Sequence, residues 1–119
     1  MEIKMGVVQV KDGVLFTKIA PGGFRILGAI DKVAEQLNLD LVITSACDGL
    51  HSGDNDPHHR GEAYDVRSHD LALEDKDKVL AWIQKYLGAD HFFAFLEAAG
   101  TDDEHFHIQV RKGTVYPPV

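Results

Sequence analysis

The passage from Leu39 to Arg67 limits the possible folds more than any other. LDLVIT, residues 39–44, is a nearly unbroken apolar run of strand length and β-branched character, and reads as a buried central strand. The chain then enters residues 46–60, which hold Gly49, Gly53, Asn55 and Pro57 and almost no large apolar side chain. Such a stretch cannot be core and must be a loop carried on a rigid frame. Residues 63–67 resume strand character.

That loop brings together residues with chemistry. His58 and Asp65 are spaced His-x-x-Gly-x-Ala-x-Asp. Side chains alternate along a strand, so two residues seven apart cannot face the same way on one straight segment. The chain must turn between them. Gly61 can supply the turn because it lacks a Cβ, and Ala63 keeps the position between Gly61 and Asp65 small. Farther on the sequence reads Glu104-His105-Phe106-His107. The two histidines share a strand face, and only one of them need be a ligand. Two neutral imidazoles and one carboxylate leave net positive charge on a bound zinc and one position open for water, the donor set of hydrolytic zinc. Six of the seven histidines fall within 51–69 and 105–107, and only His91 lies outside.

These residues resemble the superfamily of zinc D-Ala-D-Ala peptidases, L-alanyl-D-glutamate endopeptidases and hedgehog amino-terminal domains. Its signature is Ser-x-His-x-x-Gly-x-Ala-x-Asp followed by a distant His-x-His. DPHHRGEAYD matches except at the first place, where Asp56 stands for Ser. The resemblance implies Zn2+ held by His58, Asp65 and His107, and a further active-site histidine at His51 in CDGLHS. It offers two positions for the catalytic glutamate: three residues before the last zinc histidine, here Glu104, or the end of the preceding strand, here Glu97. It also implies a substrate containing D-amino acids, a peptidoglycan stem peptide or D-Ala-D-Ala. The likeness covers residues 43–67 and 92–110 and hardly touches the first forty. Hedgehog domains keep this zinc yet act by docking partners, so a non-catalytic, zinc-stabilised binding module is the alternative. Calcium is not carried over. In the enzyme reading, His51 or His105 stabilises the oxyanion, and Arg60 or Arg67 takes a substrate carboxylate through a bidentate fork.

The rest of the chain supplies a frame. Residues 2–19 read as a hairpin of MGVVQV and VLFTKI around Lys11-Asp12-Gly13. Pro21 opens a helix whose core face is Leu27, Ile30, Ala34 and Leu37. Glu74, Asp75 and Asp77 favour the start of a second helix, with Val79, Trp82, Ile83, Tyr86 and Leu87 facing inward and Gly88 as its cap. Phe92 to Leu96 and Phe106 to Val110 are the last strands, the aromatic run Phe92, Phe93, Phe95 reads as core, and Pro117-Pro118 ends regular structure. The expected fold is α+β: residues 1–119 as a single domain, a mainly antiparallel sheet with two helices packed on one side.

Nineteen acids against twelve bases give a formal charge of −7, with the bases scattered, which excludes a polyphosphate-binding face. The lone Cys47 can form no disulfide within the chain. No apolar run has signal-peptide or membrane-span length, so the expectation is a cytosolically made monomer without nucleic-acid or membrane partners. A phage lysin released through a separate pore would read the same way.

Overall fold

The computed structural model describes residues 5–48 and 56–114. Five strands form one sheet: β1 (Val8–Val10), β2 (Leu41–Ser45), β3 (Ala63–Arg67), β4 (Phe92–Glu97) and β5 (His105–Val110), in the spatial order β1-β2-β3-β5-β4. Only β1 and β2 run parallel; the other neighbours are antiparallel. A parallel pair needs a long crossover, which helix α1 (Pro21–Leu37) provides. Helix α2 (Leu73–Leu87) joins β3 to β4.

Both helices start without a side-chain cap. Pro21 fits the first turn of α1 because its missing N–H has no partner there in any helix, and Glu74 and Asp75 complement the amino-terminal dipole of α2. Asn38, at φ 54°, closes α1, and Gly88, at φ 75°, closes α2 with its N–H on the Gln84 carbonyl. The apolar stripe of α1 is turned from the expected one: Ile26, Ala29, Ile30, Val33 and Ala34 are buried, while Leu27 and Leu37 are only partly covered.

Alternation along the strands sorts the sheet into two faces. Leu41, Ile43, Tyr64, Val66, Phe92, Ala94, Phe106, Ile108 and Val110 are buried in one core with the two helices. Asp65, Arg67, Phe93, Phe95, Glu97, His105, His107 and Gln109 occupy the intervening positions. Strand β2 follows the same alternation, so it is flanked on both edges but buried on one side only. The structure also corrects the aromatic run: Phe92 is core, but Phe93 is half-buried and Phe95 is 41% exposed.

The amino-terminal hairpin does not form. Among the described residues of this segment only Val8–Val10 forms a strand, beside β2, although Lys11, Asp12 and Gly13 do make a turn closed by the Val14 N–H on the Lys11 carbonyl. Residues 14–20 have other partners. Leu15 accepts from the Cys47 N–H and donates its own N–H to Asp48, the Cys47 thiol donates to the Lys18 carbonyl, and the Ala20 N–H donates to the Gly61 carbonyl. This strap ties together the two places where the polar loop leaves and rejoins the sheet. The Pro117-Pro118 tail lies outside the described residues, and no helix among those described is long and apolar enough to cross a membrane.

Candidate metal centre

The turn before β3 is built on Asp56 and Gly61. Asp56 Oδ1 accepts the His58 N–H at 2.9 Å and its carbonyl accepts the Arg60 N–H, an Asx-type closure that a serine could also make. Gly61 has φ 72°, and a Cβ there would stand 2.3 Å from the Lys18 carbonyl oxygen. Its own carbonyl accepts the buried Tyr64 hydroxyl at 3.0 Å. Burial, and to a lesser degree the Cys47 thiol, push the Tyr64 pKa up to about 12, so the hydroxyl stays a donor. The turn thereby swings His58 back over the position Asp65 reaches from β3.

Asp65 stands directly opposite His107 in the β3–β5 ladder, and Arg67 opposite His105; Glu97 is paired with His105 from the other side. Between Ile43 and Ser45 the β2–β3 register slips, a bulge that bends β2 as it runs toward Ala46. The Ala46 carbonyl then accepts from His58 Nδ1 at 2.9 Å.

The hydrogen bonds decide which nitrogen each ring can offer. A carbonyl oxygen only accepts, so His58 Nδ1 carries a proton and Nε2 is left as a lone pair, 3.4 Å from Asp65 Oδ1. Gln109 directs its amide nitrogen at the Val110 carbonyl, which turns its oxygen to His107 Nε2 at 2.7 Å. His107 therefore presents Nδ1, 3.0 Å from the same Asp65 oxygen. Two lone pairs aimed at one carboxylate oxygen repel unless a cation or a proton lies among them.

Tetrahedral zinc bonded to nitrogen and oxygen at about 2.0–2.1 Å sets neighbouring donors about 3.3 Å apart. The 3.4 and 3.0 Å separations match that spacing, and the three donor atoms all lie within 4.8 Å of one another. His58, Asp65 and His107 could therefore hold a metal ion. Without one, a proton takes the place. Burial would raise the Asp65 pKa, but hydrogen bonds from His107 and His58, and then the charge on His58 and His105, hold it below the usual carboxylate range. Burial works against a charged His107, yet hydrogen bonds to Asp65 and Gln109 and the charges of Asp65 and Glu97 raise its pKa.

The two candidate glutamates are placed very differently. Glu97 is 47% exposed, its Oε2 standing 3.3 Å from His105 Nε2 and 3.8 Å from His107 Nδ1. Glu104 is buried and turned toward α2: its Oε1 accepts the Ser68 hydroxyl at 2.8 Å and pairs with Lys76 Nζ at 2.7 Å, and its Oε2 accepts the Gly100 N–H at 2.9 Å. The Gly100 bond first, then Lys76 and Ser68, bring its pKa down to about 2. β5 does begin at His105, but Glu104 does not bend toward His107; the 98–104 hairpin wraps its carboxylate instead. Arg60 pairs with Glu62 at 2.7 Å, whereas Arg67 has no carboxylate partner among the described residues. Arg67 lines a cleft of about 380 Å³ with Lys11, Asp65, His69, Asp103 and His105. Cys47 takes no part in the cluster, and His51 lies outside the described residues.

Three contributors were not picked out from the sequence. Gln109 could have been, since it shares a strand face with His107 two residues away. The Ala46 carbonyl carries no side-chain signal at all, and Phe95, whose ring centroid is 5.4 Å from that of His107, was hidden in an apolar run. No protein-family model matches the chain, and it has no significant match among curated proteins or solved structures.

Proposed function

We propose that this chain is a zinc-dependent peptidase of the hedgehog/DD-peptidase type, cleaving an amide in a D-amino-acid-containing peptide such as a peptidoglycan stem peptide or D-Ala-D-Ala. The observation that carries this reading is the convergence of His58 Nε2, His107 Nδ1 and Asp65 Oδ1, with the two outer ring nitrogens spent on the Ala46 carbonyl and the Gln109 amide oxygen. Second partners of this kind fix the tautomer and orientation of zinc-binding imidazoles. The D-amino-acid substrate rests on the sequence resemblance alone.

Zinc bound there would act as a Lewis acid, lowering the pKa of water from about 15.7 to about 7 and polarising the scissile carbonyl. Glu97, exposed and beside the cluster, takes the proton from the attacking water and returns it to the leaving amine. His105 stands beside Glu97, its Nε2 3.3 Å from Glu97 Oε2, and borders the cleft. Arg67 offers its unspent guanidinium to a substrate carboxylate in that cleft. Phe95 flanks His107 and shields the other side.

The test is hydrolysis of a panel of D-Ala-D-Ala and muropeptides by the metal-free and zinc-loaded protein. Turnover that appears with zinc and disappears on chelation supports the reading. A zinc-loaded protein that turns over no panel member points instead to a binding module on the same frame.

A further inference from the structure

We propose that Glu97, His105 and His107 form an outer, solvent-facing seat for the metal ion, which competes with the inner His58, Asp65 and His107 seat for the imidazole they share. His105 and His107 lie two residues apart on one face of β5, and Glu97 stands opposite His105 in the β4–β5 ladder. His105 Nδ1 donates to the Asp103 carbonyl at 2.6 Å, so its Nε2 is a lone pair. That lone pair is 3.3 Å from Glu97 Oε2, and His107 Nδ1 is 3.8 Å from the same oxygen. The ligand atoms of the three residues all lie within 4.8 Å of one another. The 3.3 Å separation matches neighbouring donors around tetrahedral zinc, and an exposed glutamate can close the longer one by turning about its own side-chain bonds.

His107 offers the same Nδ1 to either group, because its Nε2 is held by Gln109. That nitrogen has a single lone pair, so the two seats cannot be filled together and the chain holds one ion. The inner seat is the tighter one. His58 is buried with its ring fixed by the Ala46 carbonyl, and Asp65 occupies a paired strand position. The outer seat must instead immobilise a glutamate side chain that is 47% exposed. An ion there also occupies the carboxylate given the proton-transfer role above; that consequence rests on the peptidase reading, and the binding itself does not.

The metal-free chain and its variants are dialysed against increasing zinc and their metal content measured. The wild type should bind one ion per chain across the range. His58→Asn leaves the outer group whole and should still bind one ion, at least about 100-fold more weakly; Asp65→Asn repeats the comparison if His58→Asn disturbs folding. Adding Glu97→Gln or His105→Asn to either variant should abolish that weak ion, whereas Glu97→Gln or His105→Asn alone should keep the tight one. If neither His58→Asn nor Asp65→Asn binds zinc, if the weak ion survives Glu97→Gln and His105→Asn, or if the wild type holds two ions, this proposal is overturned and the first site still stands. No bound ion in the wild type overturns the proposed function with it.

Discussion

Asp65 and His107 occupy a paired position of the β3–β5 ladder, and their side chains meet at 3.0 Å on the face away from the helices. The ladder sets their separation without help from a loop, so this pair is the rigid part of the centre. Asp65→Asn keeps the shape and removes the anion that draws two imidazoles together. Zinc affinity, measured by competition with a chromophoric chelator, should fall by more than about 100-fold, beyond the range seen for loss of an outer-shell partner. Unchanged affinity would remove Asp65 from the set.

Gln109 holds the far nitrogen of His107 and is itself held by the Val110 carbonyl. Gln109→Leu leaves the donors in place but frees the ring to rotate and change tautomer. The expected loss of zinc affinity is about 10–100-fold, with little change in the urea midpoint because the residue faces away from the core. A variant that binds zinc as tightly as the wild type would show that β5 alone orients the ring.

Much of the frame could be read from the chain, for reasons visible in particular residues. Helix α2 starts at its acids and stops at Gly88, both local signals. His58, Gly61 and Asp65 form a local pattern whose geometry follows from strand parity. What local pattern could not show is where backbone donors find distant partners. VLFTKI looks like a hairpin arm, but its N–H and C=O groups bond Cys47 and Asp48 rather than MGVVQV. Glu104 looks like a neighbour of His107 in sequence, yet Lys76 and Ser68, from elements many residues away, claim its carboxylate.

The Glu104 network should appear as acid stability. Its folded pKa, about 2, lies below the ordinary 4.5, so its contribution is fully present above the ordinary value and is lost as pH falls through the folded one. Glu104→Gln should be less stable than the wild type near neutral pH, and the gap in urea midpoint should close as pH approaches 2. A gap of constant size across that range would mean that shape, not charge, holds the 98–104 hairpin.

Gly61→Ala tests the turn that delivers His58. A left-handed residue with a Cβ costs about 1–2 kcal/mol in backbone energy alone, and here the new carbon would also meet the Lys18 carbonyl at 2.3 Å. Gly100 has φ 80° with open space around it, so Gly100→Ala measures the backbone cost by itself. Gly61→Ala should be the more destabilised of the two in chemical denaturation and should also lose zinc affinity. Equal effects would mean that the strap yields freely.

The two glutamates give opposite kinetic signatures. Glu97 stands exposed, 3.8 Å from His107 Nδ1 of the candidate metal cluster, with no lysine or arginine paired to it among the described residues. Glu97→Gln preserves size and removes the proton acceptor, so kcat should drop by about 10²–10⁴-fold, the usual worth of a positioned base. KM should change little, and one tight zinc should remain. Glu104→Gln breaks an ion pair with Lys76 on the helix side of the sheet, so its cost should fall on stability while kcat in the folded protein stays within a few-fold. Steady-state kinetics on a cleaved panel substrate, with zinc content measured on the same samples, separates the two. If Glu104→Gln loses the larger factor in kcat while folded and zinc-loaded, the base is Glu104, and the hairpin must open to release it.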